Sequence, residues 1–198
     1  MHRTKLALFL FMVYGLSQSV GCQSTPTKGK TVNILIETTK GSIELELFET
    51  DAPKTVANFV GLAEEGYFNG IIFHRISKGF VIQGGDSTGT GRGGKSIYGK
   101  EFEDELNPST PSYKGGYQRG TVAMANRGPN TNTSQFFIML NDVPMPKNYT
   151  IFGRVTKGMD VVDSIAAVEI IPQMGDTDGK PKVDVVMKKV TVEKEAGK

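Results

Sequence analysis

Between residues 32 and 48 the apolar side chains fall on every second position. Val32, Ile34 and Ile36 make one run, Ile43, Leu45 and Leu47 the next, and Thr39-Lys40-Gly41 separates them. A period of two matches the pleat of a strand, whose successive side chains face opposite sides. The pattern therefore predicts a β-hairpin with one buried face, and it commits this part of the chain to a half-buried sheet.

The following segment changes period. Asp51 is placed to cap a helix, Pro53 suits its first turn, Val56, Phe59, Val60 and Ala63 recur at helical spacing, and Gly66 ends the run. Residues 71–75, 80–83, 121–125, 135–140, 151–155 and 183–192 read as further strands. Residues 157–167 read as a second helix, with Val161, Val162, Ile165 and Ala166 on one face. Residues 84–99 hold seven glycines and read as loop. No internal repeat and no second core is visible. The sum predicts a mainly β fold: a closed eight-stranded antiparallel β-barrel capped by two α-helices.

Composition narrows the function classes. The 198 residues carry 23 Lys+Arg against 21 Asp+Glu, so a net charge of +2 provides no electrostatic footprint for nucleic acid. Hydrophobic and charged fractions of 38% and 22% exclude a disordered or collagen-like chain. The single cysteine, Cys22, excludes an internal disulfide and a cysteine zinc site.

The N-terminal stretch reads as an address. His2, Arg3 and Lys5 are followed by the apolar run LALFLFMVYGL at residues 6–16, and residues 17–21 are mostly small. Eleven residues are too few to cross a bilayer core of about 30 Å as a helix. Cys22 stands where the small residues end, so residues 1–21 resemble a bacterial lipoprotein signal peptide, apart from Ser19 where such signals usually carry Leu. The resemblance implies a lipid-modified Cys22, anchored by more than one acyl chain. Residues 22–30 read as this attachment site and a flexible tether, 31–194 as one domain and 195–198 as a tail.

Two short motifs mislead. GTGRGGKS at residues 89–96 has phosphate-loop spacing, but Gly99 follows closely and EFEDE at residues 101–105 would repel a nucleotide. It reads as a glycine-rich surface loop. Asp176, Asp178 and Asp184 lack the spacing of a calcium loop and read as a solvated stretch. His74 is the one histidine outside the leader, and no GxSxG elbow accompanies it, so it reads as a satisfied structural histidine rather than a hydrolase base. Neither cofactor nor metal is expected.

Three segments carry chemistry: FHRISKGFVIQGGD at residues 73–86, MANRGPNTNTSQFF at 124–137 and NYTIFG at 148–153. Together with DAPKTVANF at 51–59 and GGKSIYG at 93–99, they resemble the cyclophilin family of peptidyl-prolyl cis/trans isomerases from about residue 32 to 192. The resemblance implies rotation about Xaa-Pro bonds, on an eight-stranded barrel with two helices. Such a reaction breaks no covalent bond. Its barrier of about 18–20 kcal/mol is lost amide resonance, and it needs an apolar pocket and a donor near the proline nitrogen rather than a nucleophile.

By the same resemblance Arg75 is the catalytic arginine, with Phe80 and Gln83 beside it. Val81, Phe137, Met145 and Tyr149 would line the proline pocket with Phe80. Ala125 and Asn126 would line the peptide groove, Gln135 would add a polar contact and His74 would support the site. One departure concerns residues 144–149, PMPKNY, where many eukaryotic cyclophilins carry Trp-Leu-Asp-Gly-Lys-His. The missing Trp implies weak cyclosporin binding, and Val81 stands where Met is more common.

The expected partners are proline-containing polypeptides, unfolded or exported, and a membrane held through the lipid. The expected state is a monomer in the bacterial cell envelope, on the periplasmic face, with the outer membrane favoured by Gln23. Without acylation of Cys22 the protein would be secreted or periplasmic. A non-catalytic, chaperone-like module using the same groove is the alternative.

Mass spectrometry of the mature N-terminus should show an acylated Cys22. An unmodified product cleaved at another position would defeat the lipoprotein reading.

Overall fold

The computed structural model describes residues 31–193. In chain order these form β1 (Thr31–Thr38), β2 (Gly41–Phe48), α1 (Pro53–Glu64), β3 (Arg75–Ser77), β4 (Val81–Gly84), α2 (Pro111–Gly115), β5 (Thr121–Met124), β6 (Phe136–Met139), β7 (Ile151–Lys157), α3 (Met159–Ala166), β8 (Ile170–Pro172), β9 (Asp178–Pro181) and β10 (Met187–Glu193). The strands make one sheet in the order β10-β1-β2-β7-β5-β6-β4-β3-β9-β8, with every pairing antiparallel.

The expected hairpin is present as β1 and β2. Ile34 pairs with Leu45 and Ile36 with Ile43, and these four with Leu47 are fully buried. Helix α1 lays Val56, Phe59, Leu62 and Ala63 into the same core. There the rings of Phe59 and Phe68 stack at 4.7 Å, and Phe136 meets Phe59 edge-on at 5.4 Å. Helix α3 adds Val162 and Ile165, as its spacing predicts.

The structure differs from the sequence reading in three places. First, ten strands and three helices stand among the described residues where eight and two were expected. β8 and β9 form a short ribbon attached to β3 through Ile76–Gly179 and Ser77–Asp178. It contains Pro and Gly and has no apolar alternation, so the sequence offered no strand signal. Helix α2 is a single turn without a buried residue. Second, the strand expected at residues 71–75 begins only at Arg75. Upstream, Ile72 makes an isolated bridge to Val186, joining the chain before β3 to the chain before β10. Among the described residues no pairing between named strands joins the ends of the sheet order.

Third, Asp51 does not cap α1. The cap position is Ala52, without a side-chain bond. Glu105, some fifty residues on, accepts instead from the first-turn N–H groups of Lys54 at 3.0 Å and Thr55 at 2.8 Å. The Asp51 carboxylate accepts from Ser112 N–H at 2.9 Å, at the start of α2. Each carboxylate thus satisfies orphan donors of a helix distant in sequence. At the other end α1 closes as expected at Gly66, with Gly66 N–H bonded to Ala63 O and Tyr67 N–H to Leu62 O.

Replacing Glu105 by Ala should leave two helix donors without their acceptor and cost about 1–2 kcal/mol. Thermal unfolding should show a midpoint lower by several degrees. An unchanged midpoint would mean that solvent serves α1 equally well.

Candidate active site

The site is built across four neighbouring strands. Arg75 on β3 pairs with Gln83 on β4, Gln83 with Phe137 on β6, and Phe137 with Ala123 on β5. Antiparallel partners lie on the same face of a sheet, so these four side chains form a row. Their strand neighbours Ile82, Phe136, Ile138, Val122 and Met124 face the core instead. The opposite face of the same strands carries Val81, Ala123, Phe137 and Met139, which form a second apolar cluster with Tyr117 and with Ile151 of β7. Half-buried Phe80, Ala125, Met145 and Tyr149 pack against it.

Polar groups border this recess as one chain of hydrogen bonds. Arg75 donates from Nη1 to Gln83 Oε1 at 3.1 Å, from Nε to Asp178 Oδ1 at 2.9 Å and from Nη2 to Asp178 Oδ2 at 2.7 Å. Gln83 Nε2 donates to Gln135 Oε1 at 3.0 Å. Gln135 Nε2 then donates to the carbonyls of Gly91 and Gly93 at 3.0 and 2.8 Å. Of the five guanidinium N–H groups, two are left for other acceptors. Arg75 holds the Asp178 carboxyl below its ordinary value despite partial burial, and a Ser77 hydrogen bond assists.

The chain of bonds ends on an anion inside the glycine-rich loop. The buried Asp86 carboxylate accepts from the N–H groups of Thr88 at 2.8 Å, Thr90 at 3.1 Å, Gly91 at 2.7 Å and Gly93 at 3.1 Å. A Cβ on Gly93 would lie 2.2 Å from Asp86 Oδ1, so only glycine fits there. The loop with phosphate-loop spacing therefore does wrap an anion, and the anion is its own Asp86. Burial alone would raise the Asp86 carboxyl, but hydrogen bonds from Thr88, Gly93 and Gly91 hold it down at about 2.

Phe80, Val81, Ala125, Phe137, Met145 and Tyr149 share one cluster, and Gln135 borders it through Gln83. Phe137 and Tyr149 meet edge-on at 5.6 Å. Asn126 commits its side-chain amide to Asp104 Oδ1 at 3.3 Å and to the Asn148 carbonyl at 3.0 Å. Cys22 lies outside the described residues. His74 departs from its expectation. It is buried, but neither ring nitrogen has a hydrogen-bond partner among the described residues. Desolvation lowers its pKa below the ordinary value, against the pull of Asp86. The lowered pKa favours the neutral ring.

Three contributors escaped the sequence reading. Asp178 lies in a stretch whose sequence reads as solvated, yet it is buried and grips Arg75. Tyr117 accepts from Tyr149 N–H at 3.0 Å and donates to Tyr149 O at 2.9 Å, fixing the ring that walls the recess. Burial pushes the Tyr117 hydroxyl up to about 12. Asp104 holds the loop after β5 through Asn126, Asn130 N–H at 2.8 Å and Asn132 at 2.7 Å. None has a local signal, because each partner is distant in sequence.

The geometry has counterparts in known proteins. Residues 33–192 match the family model described as cyclophilin type peptidyl-prolyl cis-trans isomerase/CLD. A peptidyl-prolyl cis-trans isomerase-like 1 of Neurospora crassa is 48% identical over 164 residues, covering 82% of this chain and 95% of that protein. The protein of the same description from Homo sapiens is 52% identical over 145 residues, covering 73% and 85%. Among solved structures, a cyclophilin type peptidyl-prolyl cis-trans isomerase of Cryptosporidium parvum superposes with a TM-score of 0.75 at 36% identity. It covers 84% of this chain and 99% of its own. A second structure of that protein, in the presence of the dipeptide Ala-Pro, has a TM-score of 0.73.

The Asp86 carboxyl is depressed on folding, so its contribution is complete above the ordinary value of 3.8 and is lost as pH falls through about 2. That contribution is about 2 kcal/mol. Asp86→Asn should lower stability at pH 7, and the gap from the native protein should close between pH 4 and pH 2 in denaturant titrations. A gap independent of pH would refute the assignment.

Proposed function

Because this chain belongs to the cyclophilin-type peptidyl-prolyl cis-trans isomerases, we propose that the row from Arg75 to Ala123 is where it turns Xaa-Pro bonds. The observation that carries this is a guanidinium with two uncommitted N–H groups at the border of an apolar recess. The planar amide is polar. On twisting, the proline nitrogen regains its lone pair and charge separation falls. The apolar walls of Phe80, Val81, Phe137, Met145 and Tyr149 favour that less polar state, and an Arg75 N–H aimed at the nitrogen favours it further. Gln83 orients Arg75, while Ala125, the Asn126 main chain and Gln135 hold the peptide along the groove. His74 supports this arrangement by packing and moves no proton.

The substrates we infer are proline-containing segments of unfolded, exported polypeptides. A structural neighbour obtained with Ala-Pro supports a proline ligand. The leader-like residues 1–21 and Cys22 support export and a lipid anchor in a bacterial envelope. In the same proposal the Ile72–Val186 bridge is the seam that closes the sheet into a barrel.

NMR exchange or a protease-coupled assay on a Xaa-Pro peptide should show acceleration by the native protein. Arg75→Ala should lower kcat/KM roughly a hundredfold, the cost of removing one preorganised donor. Equal activity in the two proteins would reject the reading. Peptide binding without acceleration would mark a holding module instead.

A further inference from the structure

Asp178 has no place in the row just described, yet it makes two of the three hydrogen bonds that hold the Arg75 guanidinium. Its carboxylate takes the Nε–Nη2 edge in the bidentate manner that fixes both position and plane of an arginine. Gln83 holds the same group from another strand. The side chains are 27% and 11% exposed for Arg75 and Asp178, so solvent screens the pair only in part.

The backbone under Asp178 is itself over-determined. Asp178 pairs with Ser77 and Gly179 with Ile76 across β3–β9. The Asp178 carbonyl accepts from Gln173 and Met174 N–H at 2.9 and 3.1 Å. At Gly179 an added Cβ would lie 2.0 Å from the Ile171 carbonyl oxygen, so β8 and β9 approach this closely only because that residue is glycine. On the β8–β9 ribbon Ile170 packs against the core while Ile171 is exposed. The ribbon also places one carboxylate against the guanidinium.

We propose that Asp178 is a positioning residue for isomerisation. It locks the guanidinium so that its two remaining N–H groups point where the twisting amide develops its lone pair. The carboxylate touches no substrate and acts through Arg75. Without it, Arg75 keeps one hydrogen bond and a long, flexible stem, and each turnover would have to order that side chain anew. The effect falls on the transition state, because the planar amide offers Arg75 no nitrogen lone pair.

This inference rests on the role given to Arg75, and the test separates the two. Rates of a Xaa-Pro peptide are measured for the native chain, Asp178→Ala, Asp178→Asn, Arg75→Ala and the double variant Arg75→Ala/Asp178→Ala, with a melting curve for each. Asp178→Ala should lower kcat roughly tenfold with little change in KM, a loss in line with a misplaced group. Asp178→Asn keeps a neutral acceptor of the same shape and should recover part of the rate. In the Arg75→Ala background, removing Asp178 should cost nothing further, because the carboxylate has nothing left to position. A merely structural aspartate would lower activity equally in both backgrounds, and that outcome overturns the proposal. So does an Asp178→Ala rate within twofold of native. If Asp178→Ala fails to fold, Asp178→Asn alone and on Arg75→Ala is judged by the same criteria. A slow Arg75→Ala with a fast Asp178→Ala sinks this inference alone. A fast Arg75→Ala sinks the reading beneath it.

Discussion

A pleated strand shows successive side chains to opposite faces, and at β4, β5 and β6 both faces are buried. Phe136 and Phe137 differ by one position in the chain. One packs edge-on against Phe59 in the core, the other faces Tyr149 in the recess. The whole site depends on this register. Slipping β6 by one residue would exchange the two rings and remove Phe137 from beside Gln83. Core stability and site geometry are therefore the same constraint seen from two sides of one sheet.

The polar half of the site is held from its two ends. At one end Asp178, carried by the β8–β9 ribbon, grips Arg75. At the other, Asp86 gathers the N–H groups of Gly91 and Gly93, whose carbonyls receive Gln135. Between these anchors Arg75, Gln83 and Gln135 are each bonded to the next. Bonded link to link, such a chain selects one arrangement of long side chains that would otherwise sample many. That preorganisation lets an uncharged reaction, with no bond to break, respond to the direction of one or two N–H groups.

Much of this was readable from local pattern. The alternation from Val32 to Leu47 specified the hairpin and its buried face, and the spacing of Val56, Phe59 and Ala63 specified α1. Arg75, Gln83 and Phe137 were legible as a set only through resemblance, since no periodicity distinguishes a pocket phenylalanine from a core one. Helix capping is not legible locally, because the caps come from elsewhere in the fold. Asp51 and Glu105 exchange helices across the fold, and a cap supplied from fifty residues away leaves no trace in local spacing. His74 misled in the opposite sense: a polar residue type suggested a hydrogen-bonded role, whereas burial favours its neutral ring.

By itself the sequence determined what short-range physics can encode: strand and helix periods, a glycine-rich loop and the ordered segments of the family. The tertiary structure alone decided which carboxylates meet which donors. Asp178 and Arg75 lie more than a hundred residues apart. The pairing of β9 with β3 brings them together, and Gly179 lets β8 approach β9 from the other side. An ion pair of that kind is set by which strands become neighbours in the sheet, and local spacing along the chain carries no record of that.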